Sequence, residues 1–297
     1  MLRSNRLILP LVVAALALSA TARAAESPQE KPKTPYVQTK NIVFAEVDGV
    51  GLVMDVFTPT GKSNGLGMVD VASGAFHSDR GKINDHMRAR VYDIFCGKGY
   101  TVFAVRPGSI TKFSLAEMGN NLKQGVRWVK EHATEYKIDP QRLGITGGSA
   151  GGHLASLVAV TADDATAIKA AGVFFPPTDF LDYRGTKIDA NSDPNQAGRL
   201  KQFLSANGTG PASGSEMVEK LTAISPARLV TAKAPPFLII HGDADPLVPL
   251  DQSEKLVAAL KAANVPVELI IKPGGAHPWP TIHEEVQVMA DWFDKHL

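Results

Sequence analysis

Short apolar runs and longer amphipathic stretches alternate along most of the chain. Two β-rich runs come first, Asn41 to Val47 and Gly51 to Phe57, split by Asp48-Gly49, a dipeptide that favours a tight hairpin. Beyond them the apolar runs Met68 to Ala72, Tyr100 to Val105, Leu143 to Thr146, Ala171 to Phe175, Phe237 to His241 and Val267 to Ile271 read as buried strands, each closed by a turn signal. Helical spacing fills the gaps. Ser114 with Glu117 three residues on makes a capping box, and Met118, Leu122, Val126 and Val129 follow down one face. Asp251 and Glu254 open a helix carrying Leu256, Val257 and Leu260, and Ile282, Val286, Met289, Ala290, Phe293 and Leu297 mark a last helix that packs on the sheet. This alternation predicts an α/β fold, a mostly parallel central sheet with helices on both faces.

One segment breaks the rhythm. Pro176 to about Ala234 is rich in polar residues, Gly and Pro, with short helical hints around Ala197 to Leu204 and Glu216 to Leu221. Long irregular segments inside a compact domain are usually functional, and this one predicts a small cap over the strand ends, with a tolerated surface excursion as the bland reading.

The first residues stand apart from the pattern. Arg3 and Arg6 precede the apolar run Leu7 to Leu18, and Ala22-Arg23-Ala24 supplies a small-x-small cleavage pattern, so residues 1–24 read as a secretory signal peptide. The run is shorter than the ~20 residues a bilayer-spanning helix needs, which disfavours a membrane anchor. Residues 25–38, rich in Pro, Lys, Glu and Gln, suit an exposed segment leading to one domain over 39–297 with a cap-like insertion at about 176–234. Removal of the signal leaves 28 basic against 30 acidic side chains, a net of −2, with nothing basic enough to hold nucleic acid. Export implies a periplasmic or secreted protein. Cys96 is the single cysteine, so no intramolecular disulfide forms, and its neighbours Ile94 and Phe95 predict a buried structural thiol in a helix from Val91 to Cys96. No Cys/His spacing suggests a metal site, and no cofactor is expected.

Candidate chemistry centres on Leu143 to His153, LGITGGSAGGH. Strand, glycine turn and helix follow in the order of a nucleophile elbow, in which a strained backbone holds a serine hydroxyl free at a strand end. That serine is Ser149. Partners on an open α/β sheet come from loops at the carboxyl ends of later strands. After the run ending at Ile240 comes His241-Gly242-Asp243-Ala244-Asp245-Pro246-Leu247-Val248-Pro249, and after Ile271 comes Lys272-Pro273-Gly274-Gly275-Ala276-His277-Pro278-Trp279. Of the eight histidines, His132 and His296 fall in helical segments, His241 in a strand and His283 in a first helical turn. His277, in a glycine-flanked loop, is the candidate base, and spacing alone leaves Asp243 and Asp245 competing as its acid.

These three segments resemble the signatures of α/β-hydrolase serine esterases, in particular the acetyl-esterase-like and xylan-esterase-like group related to the prolyl oligopeptidase catalytic domain. The similarity runs from about Val43 to Leu297. It implies Asp245 as the acid, leaving Asp243 a turn residue, and an oxyanion hole of backbone amides from Ala150 and from Gly74 or Ala75. Many such esterases carry His-Gly-Gly-Gly at that second position, whereas this chain reads Ala72-Ser73-Gly74-Ala75-Phe76-His77. Backbone N–H groups form such a hole, so the departure is tolerable if the turn survives. The resemblance also implies hydrolysis of a small-molecule or polysaccharide-linked ester, with a peptidase or a non-catalytic binding module as rivals. His153 is expected to fill space at the helix start, and Trp279 either lines a pocket or packs in the core. Oligomeric state is not readable from the sequence.

Overall fold

The computed structural model describes residues 34–205 and 208–297. The expected signal peptide lies outside the described residues. The chain opens with β1 (Tyr36–Val47) and β2 (Val50–Pro59), an antiparallel hairpin, and continues through β3 (Gly67–Val71), β4 (Thr101–Arg106), β5 (Leu143–Gly148) and β6 (Ala170–Phe174). A small separate pair, β7 (Asp182–Tyr183) and β8 (Thr186–Lys187), precedes β9 (Phe237–Gly242) and β10 (Val267–Lys272). The main sheet has the order β1-β2-β4-β3-β5-β6-β9-β10. β2 is antiparallel to both neighbours, and every pairing from β4 to β10 is parallel. This is the mostly parallel α/β sheet that the apolar runs predict.

The helices are α1 (Arg80–Arg88), α2 (Val91–Gly97), α3 (Leu115–Glu131), α4 (Ala150–Val160), α5 (Lys201–Leu204), α6 (Gly214–Ala223), α7 (Pro226–Leu229), α8 (Asp251–Ala262) and α9 (Ile282–His296), with a 3-10 segment at Pro194–Leu200. Strand side chains alternate between the two faces. Val69, Phe103, Val105, Ile145 and Ile239 join the core under α3, α4 and α8. Met68, Val102, Ala104, Leu238 and Ile240 join the core under α1, α2 and α9. By the same alternation Asp70, between Val69 and Val71, faces the α1, α2 and α9 side.

Local signals account for most boundaries. Ser114 caps α3 through the expected box: the Ser114 amide donates to Glu117 Oε2 at 2.7 Å and the Glu117 amide to Ser114 Oγ at 3.3 Å. Asp251 is the first residue of α8 rather than its cap, and its carboxylate pairs with Lys255 at 2.8 Å. The N-terminal segment is ordered earlier than its composition suggests. β1 begins at Tyr36, inside the stretch expected to be exposed, because its backbone pairs with β2 as far as Pro59 and Gln38 donates to the buried Asp55 carboxylate at 2.8 Å. Between Thr39 and Ile42 the register shifts, at Asn41 in the left-handed region (φ 58°). α1 carries no apolar stripe, only Ile83 being buried, which is why spacing does not announce it.

Candidate active site

The elbow is held by backbone constraints before any side chain acts. Ser149 has φ 54° and ψ −121°, a strained conformation for a residue with a Cβ, and it stands between the end of β5 and the start of α4. Its amide donates to Phe174 O at 2.9 Å, and the Gly151 amide donates to Ser73 O at 3.1 Å, which staples the elbow to β6 and to the turn after β3. Gly151 is required by close approach, since a Cβ there would lie 2.3 Å from Val71 O.

The serine partners come from loops after β9 and β10. These loops are zipped together: Asp243 N donates to Lys272 O at 3.2 Å, Ala244 N to Gly275 O at 3.0 Å, and Gly274 N to Asp243 Oδ1 at 2.6 Å. A Cβ on Gly242 would sit 2.1 Å from Gly275 O, so glycine at that position allows the two loops to touch. The result brings together residues 128 and 32 positions apart: His277 Nε2 lies 2.8 Å from Ser149 Oγ, and His277 Nδ1 lies 2.6 Å from Asp245 Oδ2. Asp245, not Asp243, reaches the ring. Its side chain is fully buried, and its Oδ1 accepts from the amides of Leu247 at 2.8 Å and Val248 at 2.9 Å. A carboxylate so placed accepts from Nδ1–H, which leaves Nε2 with a lone pair toward the serine hydroxyl.

Two buried histidines brace the surroundings of the site, one at the acid loop and one at the start of α4. His241 Nε2 donates to Val248 O at 2.9 Å and its Nδ1 lies 2.7 Å from Ser253 Oγ, which pins the acid loop to α8. Burial lowers its pKa, the Val248 and Asp245 contacts opposing only part of that. His153 in α4 donates from Nδ1 to Pro177 O at 2.9 Å and meets Phe76 edge-on at 5.3 Å, and burial pushes its pKa down to about 4. It packs the helix start against the first residues of the 176–234 segment.

The turn expected to supply the second amide is a type I′ turn, with Ala75 (φ 48°) and Phe76 (φ 60°) left-handed and His77 N donating to Gly74 O at 2.9 Å. The Gly74 amide is consumed by His77 O at 3.0 Å, so Gly74 is corrected as a candidate donor. No acceptor engages the amides of Ala75 or Ala150 among the described residues, and both residues line the same cavity as Ser149 and His277. That cavity measures about 530 Å³, within the usual range for small-molecule sites. On one side its wall is aromatic, with Phe180, Tyr183 and Phe203 from the 176–234 segment beside Phe76. Phe203 contacts Phe76 and Phe180 at ring separations of 4.9 and 5.4 Å.

The opposite wall carries groups that the sequence reading passed over. Asp70, 1% exposed, accepts at Oδ2 from Tyr92 OH at 2.9 Å and lies 2.7 Å from His86 Nδ1. Its Oδ1 is buried without a partner. Burial lowers the His86 pKa, but the Asp70 charge and hydrogen bond outweigh it and hold the ring above the ordinary histidine value. The available signal was a lone carboxylate inside the apolar run Met68 to Ala72. Trp279 does not line the cavity. It is buried, and its Nε1–H donates to Glu285 Oε2 at 2.7 Å. Cys96 is buried with its thiol pKa pushed up to about 12 by burial.

Comparison with known proteins agrees with this architecture. The chain is 33% identical over 154 residues to the probable carboxylic ester hydrolase LipM of Mycobacterium tuberculosis, a match covering 48% of this chain and 33% of that protein. The chain thus spans about a third of the length of that relative. Among solved structures, a truncated carbohydrate esterase from gut microbiota superposes with a TM-score of 0.74 at 22% identity, covering 89% of this chain and 98% of the other. The butyrate-bound form of Est2, an esterase of Thermogutta terrifontis, superposes with a TM-score of 0.65 at 25% identity over 85% and 92% of the two chains. The BD-FAE family model matches residues 54–260, a span holding Ser149 and Asp245. With an α/β-hydrolase sheet, a strained serine between β5 and α4, and that match over most of its length, the chain belongs to the BD-FAE family.

Proposed function

We propose that the protein hydrolyses carboxylic esters through an acyl-enzyme on Ser149. The observation that carries this reading is the hydrogen-bonded chain Ser149–His277–Asp245, at 2.8 and 2.6 Å, beside two unengaged amides. His277 Nε2 takes the hydroxyl proton as Ser149 Oγ attacks the carbonyl, and the buried Asp245 carboxylate stabilises the resulting imidazolium and holds its ring. The oxyanion of the tetrahedral intermediate accepts from the amides of Ala150 and Ala75, whose orientation is fixed by the elbow and the type I′ turn before substrate arrives. His277 then gives its proton to the departing alcohol. Water, activated by the same imidazole, attacks the acyl-enzyme and releases the acid and the free serine. No cofactor enters these steps.

The aromatic cap wall favours an acyl group or an alcohol of modest size, in keeping with a neighbour that holds butyrate. An acetylated or feruloylated polysaccharide is the substrate class we propose, supported by the carbohydrate esterase among the structural neighbours. We further propose that residues 1–24 direct export to the periplasm or medium, the assignment supported by their Arg-apolar-small pattern. N-terminal sequencing of protein made with the full chain checks this, an intact Met1 in exported material opposing it.

Turnover of 4-nitrophenyl acetate against a dipeptide anilide, with labelling by a fluorophosphonate, tests the activity. Ester turnover and labelling of wild type, both abolished in Ser149→Ala, are expected. Preference for the anilide would make the protein a peptidase, and a folded wild type that neither labels nor turns over ester would make it a binding module.

A further inference from the structure

The cavity has two unlike ends. Ser149 stands between the aromatic cap wall and a charged wall made by Asp70, Lys82, Asp85 and His86. Lys82 and Asp85 pair with each other at 3.5 Å, and Arg88 takes the other Asp85 oxygen. Asp70 is different. Oδ2 is doubly engaged by His86 and Tyr92, whereas Oδ1 has no partner although the residue is 1% exposed and lines the cavity. An unmet carboxylate oxygen in a buried position is destabilising, so it is either satisfied by what enters the cavity or retained at a loss. His86 fixes the carboxylate from one side. Its Nδ1 is committed to Asp70, and no protein group engages Nε2 among the described residues, the side chain being 17% exposed.

We infer that Asp70, held in place by His86 and Tyr92, forms a second polar subsite in this cavity that takes a hydroxyl group of the substrate, the hydroxyl donating to Asp70 Oδ1. This rests on the ester-hydrolase reading of Ser149. An anionic group is disfavoured by the Asp70 carboxylate, and a cation by the Lys82 ammonium that lines the same cavity. A neutral hydrogen-bond donor fits the unmet carboxylate oxygen. Strand register sets the distance: Asp70 pairs with Thr146, and Ser149 lies three residues further on, so the carboxylate sits about 10 Å back along the strand direction. The hydroxyl is therefore remote from the scissile carbonyl, on a long acyl chain or on the alcohol.

Matched esters separate the two sources. Methyl hexanoate and octanoate are compared with their 6- and 8-hydroxy counterparts, and hexyl and octyl acetate with their terminally hydroxylated counterparts, by pH-stat. In wild type the hydroxylated member of at least one series is expected to have kcat/KM about tenfold or more above its deoxy partner. The series that responds identifies the source. The advantage should collapse toward one in Asp70→Asn and in His86→Phe, whose folding is checked by thermal melting. A wild-type ratio within about twofold of one in every series would overturn the inference and leave the pair as a packing element around a trapped water. So would an advantage that survives both substitutions. The deoxy esters report separately on the underlying activity: if wild type hydrolyses none of them nor their hydroxylated partners, the esterase reading fails and the subsite falls with it.

Discussion

Replacing Asp245 with asparagine tests the proposed chemistry with little change of shape. Oδ1 accepts from two amides, Leu247 and Val248, and Oδ2 accepts from His277 Nδ1. An asparagine can be placed in two ways. With its NH₂ toward the loop, two amide donors would face a donor, at roughly 1–3 kcal/mol for each buried group left unmet. With its carbonyl toward the loop both amides stay satisfied and the NH₂ faces His277, so the second arrangement wins. It forces Nδ1 to accept, moves the ring proton to Nε2, and leaves no lone pair for the Ser149 hydroxyl 2.8 Å away. The same inversion of tautomer in serine proteases costs about 10⁴-fold, roughly 5.4 kcal/mol of barrier. We expect kcat for 4-nitrophenyl acetate to fall by about that factor in Asp245→Asn, with the melting temperature nearly kept. Asp243→Asn retains an acceptor for Gly274 N and should change kcat only a few-fold. A loss of under tenfold in folded Asp245→Asn, or an equal loss in Asp243→Asn, would refute the assignment.

Three further outcomes follow from the same geometry. Gly151→Ala sets a Cβ 2.3 Å from Val71 O, a backbone atom that cannot swing away, so unfolding in urea should show about 2–3 kcal/mol lost together with activity. His153, neutral in the fold with a pKa down at about 4, titrates near 6.5 when unfolded, so below about pH 6.5 the unfolded chain binds the extra proton and stability falls until about pH 4, by about 3 kcal/mol in all. Urea midpoints measured across that window should be flatter in His153→Gln than in wild type; parallel curves would oppose the assignment. Phe203→Ala removes an aromatic wall shared with Phe76 and Phe180 and should shift preference among C2 to C8 acyl esters toward longer chains, read as the ratio of kcat/KM values.

Much of the sheet could be read from apolar runs, because a strand buried on both faces has few polar residues to obscure it. The elbow could be read for a related reason: strand, glycine and helix signals coincide within 143–158. Other features depend on contacts that no spacing encodes. Asp243 and Asp245 differ by two positions in one loop, and only the hydrogen bonds of that loop decide which carboxylate turns inward and which ties down Gly274. Gly74 and Ala75 are adjacent small residues, and the turn type alone determines that the Gly74 amide is spent on His77. α1 was silent because its buried side is nearly a single isoleucine, and with it went any warning that His86 meets Asp70.

Several departures from local rules nonetheless gather in one place. Among the described residues, non-glycine positions with positive φ include Asn41, Asp48 and Asn264, types that tolerate the left-handed region, and Arg90, Lys137 and Arg184 outside the cavity wall. The other four are Ala75, Phe76, Ser149 and Phe175, and all four line the cavity. None has a short polar side chain of the Asn/Asp kind to ease the conformation, and each such residue costs on the order of 1 kcal/mol or more. Asp70, whose buried Oδ1 lacks a partner, lines the same cavity. A chain selected for stability alone would have put glycine in the turn and an apolar residue on β3. Strain and an unmet polar group gathered around one cavity are what a site costs when its donors and acceptors must be fixed before the ligand arrives, which supports the roles proposed for Ser149 and for Asp70.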